Sequence, residues 1–246
     1  MPAPLSAQPS SASNERLAGD GGALRVEVLS AVFQVRQIDP DARPQLCVLL
    51  WRHDPNHAWS LPGGDVTADE TLSDSARRLL AEKTDVRNVA HLEQLAVFSD
   101  PHRVPEIRTI ASTYLGLVPT DVPTPLPPNA SWHTVDSLGR LAYDHADIIA
   151  AGRQRLAAKL SYTNIAFALA ASRFPMSNLS DIYCAALGYP VDTTNLLRIL
   201  SRRGVVAATG TVGPTGRAGG RPPALYAFAD NELRVTDEFA TLKPPM

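Results

Sequence analysis

The stretch from residue 64 to residue 86 carries four residues whose types and spacing suit phosphate chemistry: Gly64, Glu70, Arg78 and Glu82. A glycine lets a loop backbone approach a ligand closely. Glu82 follows Arg78 by four positions, which places both side chains on one face of a helix. Carboxylates grouped on such a face can hold divalent cations, which bridge phosphate oxygens and activate a water molecule. The pattern is therefore typical of an enzyme that cleaves a phosphate anhydride.

The spacing resembles the Nudix box, G-x5-E-x7-R-E-U-x-E-E-x-G-U, in which U is an aliphatic residue. The matching positions are Gly64, Glu70, Arg78, Leu80, Glu82 and Val86. Three positions depart from the box. Leu79 replaces the glutamate of the R-E pair, Lys83 replaces the second glutamate of the E-E pair, and Asp85 replaces the glycine. The resemblance extends over the surrounding strands, roughly residues 24–150, and implies a Nudix fold there.

The departures remove most of the metal-binding capacity of the box. Mg²⁺ needs several oxygen ligands in a near-octahedral array, and of the three carboxylate positions only Glu82 keeps one. Lys83 would also place a positive charge where a metal ion binds. We therefore expect no catalytic residue, no bound metal and no cofactor, in a pocket that binds a nucleotide diphosphate without cleaving it.

Two alternatives stay open at this stage. Glu93, Asp100 or Glu106, from elsewhere in the fold, could replace the missing metal ligands and restore a hydrolase. The segment could also be an ordinary amphipathic helix after a glycine turn. The "LPGG" lead-in and the spacing of Glu70 and Arg78 argue against that second alternative.

The resemblance implies a ligand with a pyrophosphate and two ribose-like ends, such as ADP-ribose. Arginine side chains can pair with its phosphates, and a tryptophan can stack on its base. The matching residues of the box form the loop and the helix beside it, and Glu70 and Arg78 are expected to pair the loop with the helix. The predicted ligand-binding residues are Arg52, Gly63, Gly64, Glu70, Arg78, Glu82, Arg103 and Trp132.

The elements that would position these residues form a mixed α+β domain. Alternating or β-branched apolar runs predict four strands. They lie at Leu24–Val35, Pro44–Arg52, 92–100 and 108–119. One helix is predicted from about Glu70 to Lys83, and a second within 131–160, after a proline-dense loop.

The second half has the layout of a winged helix-turn-helix domain. Helices are predicted at 162–174 and Asn178–Gly188. A third, at Asp192–Gly204, is capped by its aspartate and stopped by its glycine. Its apolar residues Leu196, Leu197, Ile199 and Leu200 are expected to pack on the preceding helices. Two strands, 205–210 and 224–229, follow and are joined by a long basic loop rich in glycine and proline.

The third helix and the basic loop carry residues suited to DNA. Polar residues at the start of a recognition helix meet base edges, and arginine can bind guanine bidentately. An arginine on a wing suits the minor groove or a phosphate. The segment Arg198–Arg221 holds five arginines and no acidic residue, which favours DNA over a merely solvated surface. The predicted DNA-binding residues are Thr193, Thr194, Asn195, Arg198, Arg202, Arg203, Arg217 and Arg221.

The balance of charge changes between the first and the second half of the chain, near residue 152. Residues 1–152 hold 12 basic and 19 acidic residues, whereas residues 153–246 hold 11 and 6. An acidic half followed by a basic half indicates two domains with different partners. We expect a disordered arm at 1–22, a Nudix-like domain at 23–152 and a winged helix-turn-helix domain at 153–246.

Cysteine usage and hydropathy indicate the compartment. Cys47 and Cys184 lie in no metal-binding motif, and no apolar run approaches the ~20 residues needed to span a bilayer. We expect a cytoplasmic protein without membrane contact.

A degenerate Nudix domain followed by a winged helix resembles the Nudix-related transcriptional regulators of NAD metabolism (NrtR). The resemblance includes "LAYDHADII", "LSDIYCAALGYPVDTTNLLRILSRRG" and "GRPPALYAF". It implies a homodimer that binds a palindromic operator, represses genes of NAD synthesis or salvage, and senses ADP-ribose or a related metabolite. The alternatives are an ADP-ribose or nucleotide-sugar pyrophosphatase and a protein-interaction scaffold.

Overall fold

A computed structural model describes residues 24–214 and 221–237 of the 246-residue chain. The predicted arm at 1–22 and the predicted wing residue Arg217 lie outside the described residues. The strands are β1 (Arg25–Arg36), β2 (Gln45–Trp51), β3 (Gly63–Asp65), β4 (His91–Phe98), β5 (Thr109–Leu117), β6 (Ala130–Thr134), β7 (Phe174–Pro175), β8 (Val206–Val212) and β9 (Ala224–Phe228). The α-helices are α1 (Leu72–Thr84), α2 (His145–Tyr162), α3 (Met176–Leu187) and α4 (Thr193–Arg202). No helix within those residues is long and apolar enough to cross a membrane.

A six-stranded sheet lies at the centre of the first half, in the order β4-β5-β1-β2-β6, with β3 paired to β1. β1 runs parallel to β5, and the other neighbouring strands are antiparallel. β1 is buried over most of its length. A strand buried in this way needs cover on both faces of the sheet.

Helices supply that cover on each face. Successive side chains of β1 point to opposite faces. Leu29, Ala31 and Phe33 pack in the main core with residues of α2 and α3. Val28 and Val32 pack on the other side, in two smaller clusters that include residues of α1. The arrangement confirms the predicted α+β sandwich.

α2 belongs to both halves of the molecule. Its buried residues Ile148, Leu156 and Leu160 lie in one core cluster with residues of β1, α3 and α4. The helix is continuous from His145 to Tyr162. The proposed domain boundary between residues 152 and 153 therefore falls inside this helix.

The helix predicted within 131–160 begins only at His145. Residues 131–134 belong to β6 instead, where Trp132 pairs with Leu49 of β2. The alternating sequence Ser-Trp-His-Thr suits the half-buried edge of a sheet better than a helix. The first helix likewise starts at Leu72 rather than Glu70, because the side chain of Thr71 caps it by accepting the N–H of Asp74.

The second half contains α3, α4 and a three-stranded sheet in the order β7-β9-β8. Two expectations were wrong in detail. Within the predicted helix at 162–174, only a short 3₁₀ turn forms, at Ile165–Ala168. Thr163 ends α2, and its hydroxyl donates to the carbonyl oxygen of Lys159. The predicted two-stranded hairpin gains a third strand, because Phe174 pairs with Tyr226.

Candidate functional site

Two glycines hold the loop before α1 close to the sheet. A Cβ at Gly63 would lie 2.1 Å from the carbonyl oxygen of Val28, so only glycine allows β3 to pair with β1 at this point. Gly64 has a φ of +156°, which side-chain-bearing residues rarely adopt. A Cβ at Gly64 would also meet Leu79 at 3.2 Å. Both predicted glycines therefore serve the close approach of loop, strand and helix.

The predicted pair of Glu70 and Arg78 joins the loop to α1. The guanidinium of Arg78 donates two hydrogen bonds to the Glu70 carboxylate, at 2.7 and 2.9 Å, and Ser75 donates a third at 2.8 Å. These hydrogen bonds, led by those from Arg78, lower the pKa of Glu70 to about 2. Both predicted residues thus bind each other and fix the shape of the loop.

The three departures from the Nudix box take structural roles. Leu79 is buried in a cluster with Val28 and Tyr114, where a carboxylate would be desolvated. The ammonium of Lys83 lies 4.3 Å from the centroid of the Trp51 ring. Asp85 has a φ of 57° at the C-terminal cap of α1. Aspartate tolerates this left-handed conformation better than most residues, which explains why it can replace the glycine.

A cavity of about 650 Å³ opens between residues 140–143 and the segment from Trp51 to Ser60, which leads into the loop of the Nudix box. Trp51, His53, His57, Arg140 and Tyr143 are among the residues that line it. Aromatic rings and cationic or neutral nitrogen donors together suit a nucleotide with phosphate groups. Sequence reasoning identified none of this group. The dense run "WRHDPNHAW" at the end of β2 was the signal for it.

None of the eight predicted ligand-binding residues lines this cavity. The Arg52 guanidinium lies over the ring of Trp59, at 4.5 Å from its centroid. The indole N–H of Trp132 donates to the hydroxyl of Thr124, and its ring lies under the guanidinium of Arg36. Trp132 is therefore occupied by protein groups on its polar edge and on one face.

Arg103 requires a correction. Its side chain is 1% exposed and binds two carboxylates, Glu27 at 2.6 Å and Asp144 at 2.7 and 2.9 Å. A buried guanidinium must be paired in this way. Arg103 therefore holds β1 and the start of α2 together, and it does not present its donors to a phosphate.

α2 connects the loop of the Nudix box to the winged helix. At its start, the buried Nδ1 of His145 accepts the backbone N–H of Leu61 at 2.9 Å, two residues before Gly63. Burial lowers the pKa of His145 to about 4, so the imidazole is neutral and can accept this hydrogen bond. At the other end, Arg203 donates to the carbonyl oxygen of Ser161 at 3.1 Å.

That contact corrects the prediction for Arg203. Its guanidinium also pairs with the carboxylate of Asp237, so it ties the end of α4 to α2 and to the chain after β9. The predicted cap is confirmed, since Asp192 accepts the N–H of Asn195 at 2.7 Å. Leu196 and Leu200 are buried beneath α4, as expected.

The outward face of α4 presents polar and basic side chains. Thr194, Asn195, Arg198 and Arg202 are exposed, and Thr193 is half-buried. Arg198 donates to the side-chain oxygen of Asn195 at 2.6 Å, within the same face. Arg202 makes no hydrogen bond or ion pair with any described residue, and neither does the exposed Arg221, three residues before β9.

An apolar residue lies among these arginines. Ile199, expected to face inward, is only half-buried and lines a shallow groove with Arg198, Arg202 and Arg203. An aliphatic side chain on a recognition helix can contact the methyl group of thymine. Sequence reasoning assigned Ile199 to the core because its periodicity alone does not distinguish the edge of the apolar face.

The residues offered as substitute metal ligands do not come together. Burial alone would raise the pKa of Glu93, but hydrogen bonds from His91 and Lys159 outweigh it and lower the pKa to about 2. Asp100 accepts the N–H of His102 at 2.7 Å, and Glu106 is exposed. Within residues 24–214 and 221–237, no three histidine, cysteine or acidic side chains are grouped to hold a metal ion.

Comparison with known proteins gives matches across both halves of the chain. Residues 30–152 match the model of the NUDIX domain family. The ADPR responsive transcriptional repressor NtrR of Acinetobacter baylyi is 30% identical over 207 residues, which cover 81% of this chain and 80% of that relative.

Two solved structures are also similar to this chain over most of its length. NrtR of Shewanella oneidensis complexed with a 27mer DNA has a TM-score of 0.68 and 26% identity, covering 82% of this chain and 93% of that chain. The structure of Shewanella oneidensis NrtR alone has a TM-score of 0.67 and 25% identity. The similarity therefore includes the arrangement of the chain beyond the Nudix fold.

Proposed function

The chain belongs to the NrtR family of Nudix-related transcriptional regulators, and we propose that it is a DNA-binding repressor that senses ADP-ribose or a related NAD-derived metabolite. The genes it controls are those of NAD synthesis or salvage. The observation that carries the proposal is one chain that joins a Nudix fold lacking two box carboxylates to a winged helix with exposed arginines. The Acinetobacter relative, an ADPR responsive repressor, supports it.

The ligand would bind in the cavity beside the Nudix loop. Trp51 and Tyr143 offer ring surfaces for a base or a sugar, and His53, His57 and Arg140 offer donors for phosphate oxygens. The predicted residues Gly63, Gly64, Glu70, Arg78 and Glu82 contribute by shaping the loop and helix that border this region. Arg52 and Trp132 are engaged by protein groups outside the lining of this cavity.

The residues at the three carboxylate positions of the box support binding without cleavage. Leu79 is buried against apolar neighbours, Lys83 carries a positive charge, and Glu82 is engaged by Arg78 at 3.3 Å. The residues present therefore do not fit the cation pair that a Nudix hydrolysis requires. We infer that the domain acts as a sensor rather than an enzyme.

The DNA partner would be read by the outward face of α4. Thr193, Thr194 and Asn195 lie at the start of the helix, where base edges are met, and Arg198 and Arg202 follow on the same exposed side. A homodimer would place two such helices about one DNA turn apart on a palindrome. Cys47 and Cys184 are free thiols, which suits the reducing cytoplasm where such a regulator acts.

Ligand binding and DNA binding would be linked through α2. The start of this helix is bound to the ligand loop through His145, and its end is bound to α4 through Arg203. A ligand changes DNA affinity only if it binds one arrangement of these elements better than the other. A shift of the loop would move α2 and thereby the spacing of the two recognition helices.

The test is a titration of the full-length protein onto a labelled duplex from upstream of NAD-synthesis genes, read by fluorescence anisotropy at fixed salt. We expect tight binding that ADP-ribose changes by about fivefold or more, the ordinary scale of allosteric coupling. A scrambled duplex of the same length is the control for non-specific binding.

Two other outcomes would overturn the proposal. Specific binding to DNA that ADP-ribose leaves unchanged would show that the protein does not sense ADP-ribose. An absence of specific binding, with ADP-ribose consumed when Mg²⁺ is added, would establish a hydrolase.

A further inference from the structure

We propose that Lys83 takes the place of the divalent cation in this Nudix domain, so that the pyrophosphate of the ligand is bound without metal. The inference rests on the proposed function, and it names the group that allows the ligand to bind without a metal ion. It concerns the position at which the box has exchanged a carboxylate for an ammonium group.

The position of Lys83 makes this exchange useful. α1 carries Lys83 to the Trp51 ring, with 4.3 Å between the ammonium nitrogen and the ring centroid. The same ring lines the cavity beside the loop. The ammonium therefore contacts a ring that lines the cavity, although Lys83 itself is not among the lining residues.

Lys83 also keeps its charge available. It makes no hydrogen bond or ion pair with a carboxylate among residues 24–214 and 221–237. The neighbouring carboxylate of Glu82 is bound by Arg78 instead. A cation resting on a ring is held more weakly than a cation hydrogen-bonded to phosphate. The flexible four-carbon stem can carry the ammonium from Trp51 to a phosphate oxygen.

The surroundings favour an anion at this place. Arg140 lines the same cavity, together with the imidazoles of His53 and His57. The carboxylate of Asp54 on the same loop is bound by His57 at 2.8 Å and by the N–H of Asn56. The cavity that shares the Trp51 ring with Lys83 is thus lined by positive and donor groups.

The experiment is isothermal titration of ADP-ribose into the full-length protein, in EDTA and in Mg²⁺. We expect the wild-type Kd to agree within about twofold between the two conditions, because the ammonium supplies the charge. Lys83→Gln should weaken binding by about tenfold in both conditions, the typical value of one charge-assisted hydrogen bond. Lys83→Arg should retain most of the affinity.

A matched control separates this effect from net charge. Arg87 is an exposed cation just beyond α1 whose only ion-pair partner among the described residues is Asp85, so Arg87→Gln should leave the Kd unchanged. Thermal unfolding of each variant verifies that the fold is intact. Wild-type binding that requires Mg²⁺, or a Lys83→Gln protein that binds as tightly as wild type, would overturn the inference.

A second probe distinguishes this failure from failure of the proposed function. If ADP-ribose does not bind, inorganic pyrophosphate is titrated in EDTA. If pyrophosphate binds and Lys83→Gln weakens that binding, ADP-ribose is not the ligand but Lys83 does bind the pyrophosphate group. No binding of either compound would overturn both.

Discussion

The Nudix box and the outward face of α4 use charged residues in opposite ways. Around the box, Arg78 binds Glu70 and Glu82, and the buried Arg103 binds two more carboxylates. On α4, the exposed Arg198 has only a neutral partner within its own helix, and Arg202 has no described partner. Both regions are rich in arginine, yet Arg78 and Arg103 are bound to carboxylates, whereas Arg198 and Arg202 have no carboxylate partner among the described residues.

The difference shows how to separate charges that hold the fold from charges that meet a partner. A guanidinium with carboxylates at hydrogen-bond distance already donates its N–H groups to them, and removing it leaves those carboxylates unpaired. An exposed guanidinium without an acidic partner contributes little to stability and keeps its donors for phosphates or bases. Variants of the two classes should therefore fail in different assays.

The largest effect is expected at Arg103. Arg103→Met keeps the apolar stem but leaves Glu27 and Asp144 without their cation in a buried site. We expect the free energy of unfolding to fall by about 3–5 kcal/mol, measured by urea denaturation at pH 7.

The exposed pair of Arg87 and Asp85 provides the control. Arg87→Met should change the free energy of unfolding by no more than about 1 kcal/mol, because both side chains are mostly solvated. Replacing Glu27 and Asp144 by amides together with Arg103→Met should recover part of the loss. An Arg103→Met protein as stable as wild type would remove the distinction between the two classes.

The next effect concerns pH and the buried start of α2. Burial lowers the pKa of His145 from 6.5 to about 4. The unfolded chain therefore takes up a proton near pH 6.5 that the folded protein does not accept until about pH 4, so stability falls as pH is lowered through this window. We expect a loss of about 2 kcal/mol between pH 7 and pH 5, from urea denaturation at both values.

His145→Asn sharpens this prediction, because the amide oxygen can accept the N–H of Leu61 but does not titrate. The variant should lose most of the pH dependence above pH 5. A residual slope is expected from His133, whose pKa is also lowered by burial. Glutamates with lowered pKa values, such as Glu70, contribute only below about pH 4.5. An unchanged pH profile in His145→Asn would show that another group controls stability there.

The sequence predicted the box and the recognition helix because both depend on local spacing. Glu70 and Arg78 were paired from their separation, and Asp192 was recognised as a cap from its position before α4. The sequence did not predict the ion pairs of Arg103, because its carboxylate partners lie 76 and 41 residues away along the chain. Such pairings depend on which strands and helices meet, and a single sequence does not encode them locally.

The same limit explains the other corrections. Arg203 was placed on the DNA side because it extends a basic run, but its partners Ser161 and Asp237 reach it from α2 and from the end of the described chain. The cavity residues Arg140 and Tyr143 lie about eighty residues after His57 in sequence, and only the fold brings them together. Spacing rules therefore identify one helix at a time, whereas a ligand site gathers several segments.

A smaller effect, on DNA affinity rather than stability, is expected at Arg198. Arg198→Ala should weaken binding to the operator by about tenfold, the cost of losing one bidentate base contact. The free energy of unfolding should stay within about 0.5 kcal/mol of wild type, because the side chain is exposed. Anisotropy titrations with the operator and with a scrambled duplex measure the change.

The comparison with a non-specific duplex shows what Arg198 contacts. A base contact reduces specific binding far more than binding to the scrambled duplex, whereas a phosphate contact reduces both equally. An Arg198→Ala protein that unfolds more easily, with unchanged DNA affinity, would assign this arginine to the fold and break the contrast with Arg103.

The smallest effect is expected at Arg221, the described arginine of the wing. It is exposed and has no described hydrogen-bond or ion-pair partner, so a phosphate or the minor groove is the partner that its position suits. Loss of one phosphate contact lowers the slope of log K against log salt concentration by about one unit. We expect Arg221→Ala to show this change on operator and scrambled duplexes alike, while Arg87→Ala shows none. A change confined to the operator would instead place Arg221 against a base edge, and the wing would then read sequence as α4 does.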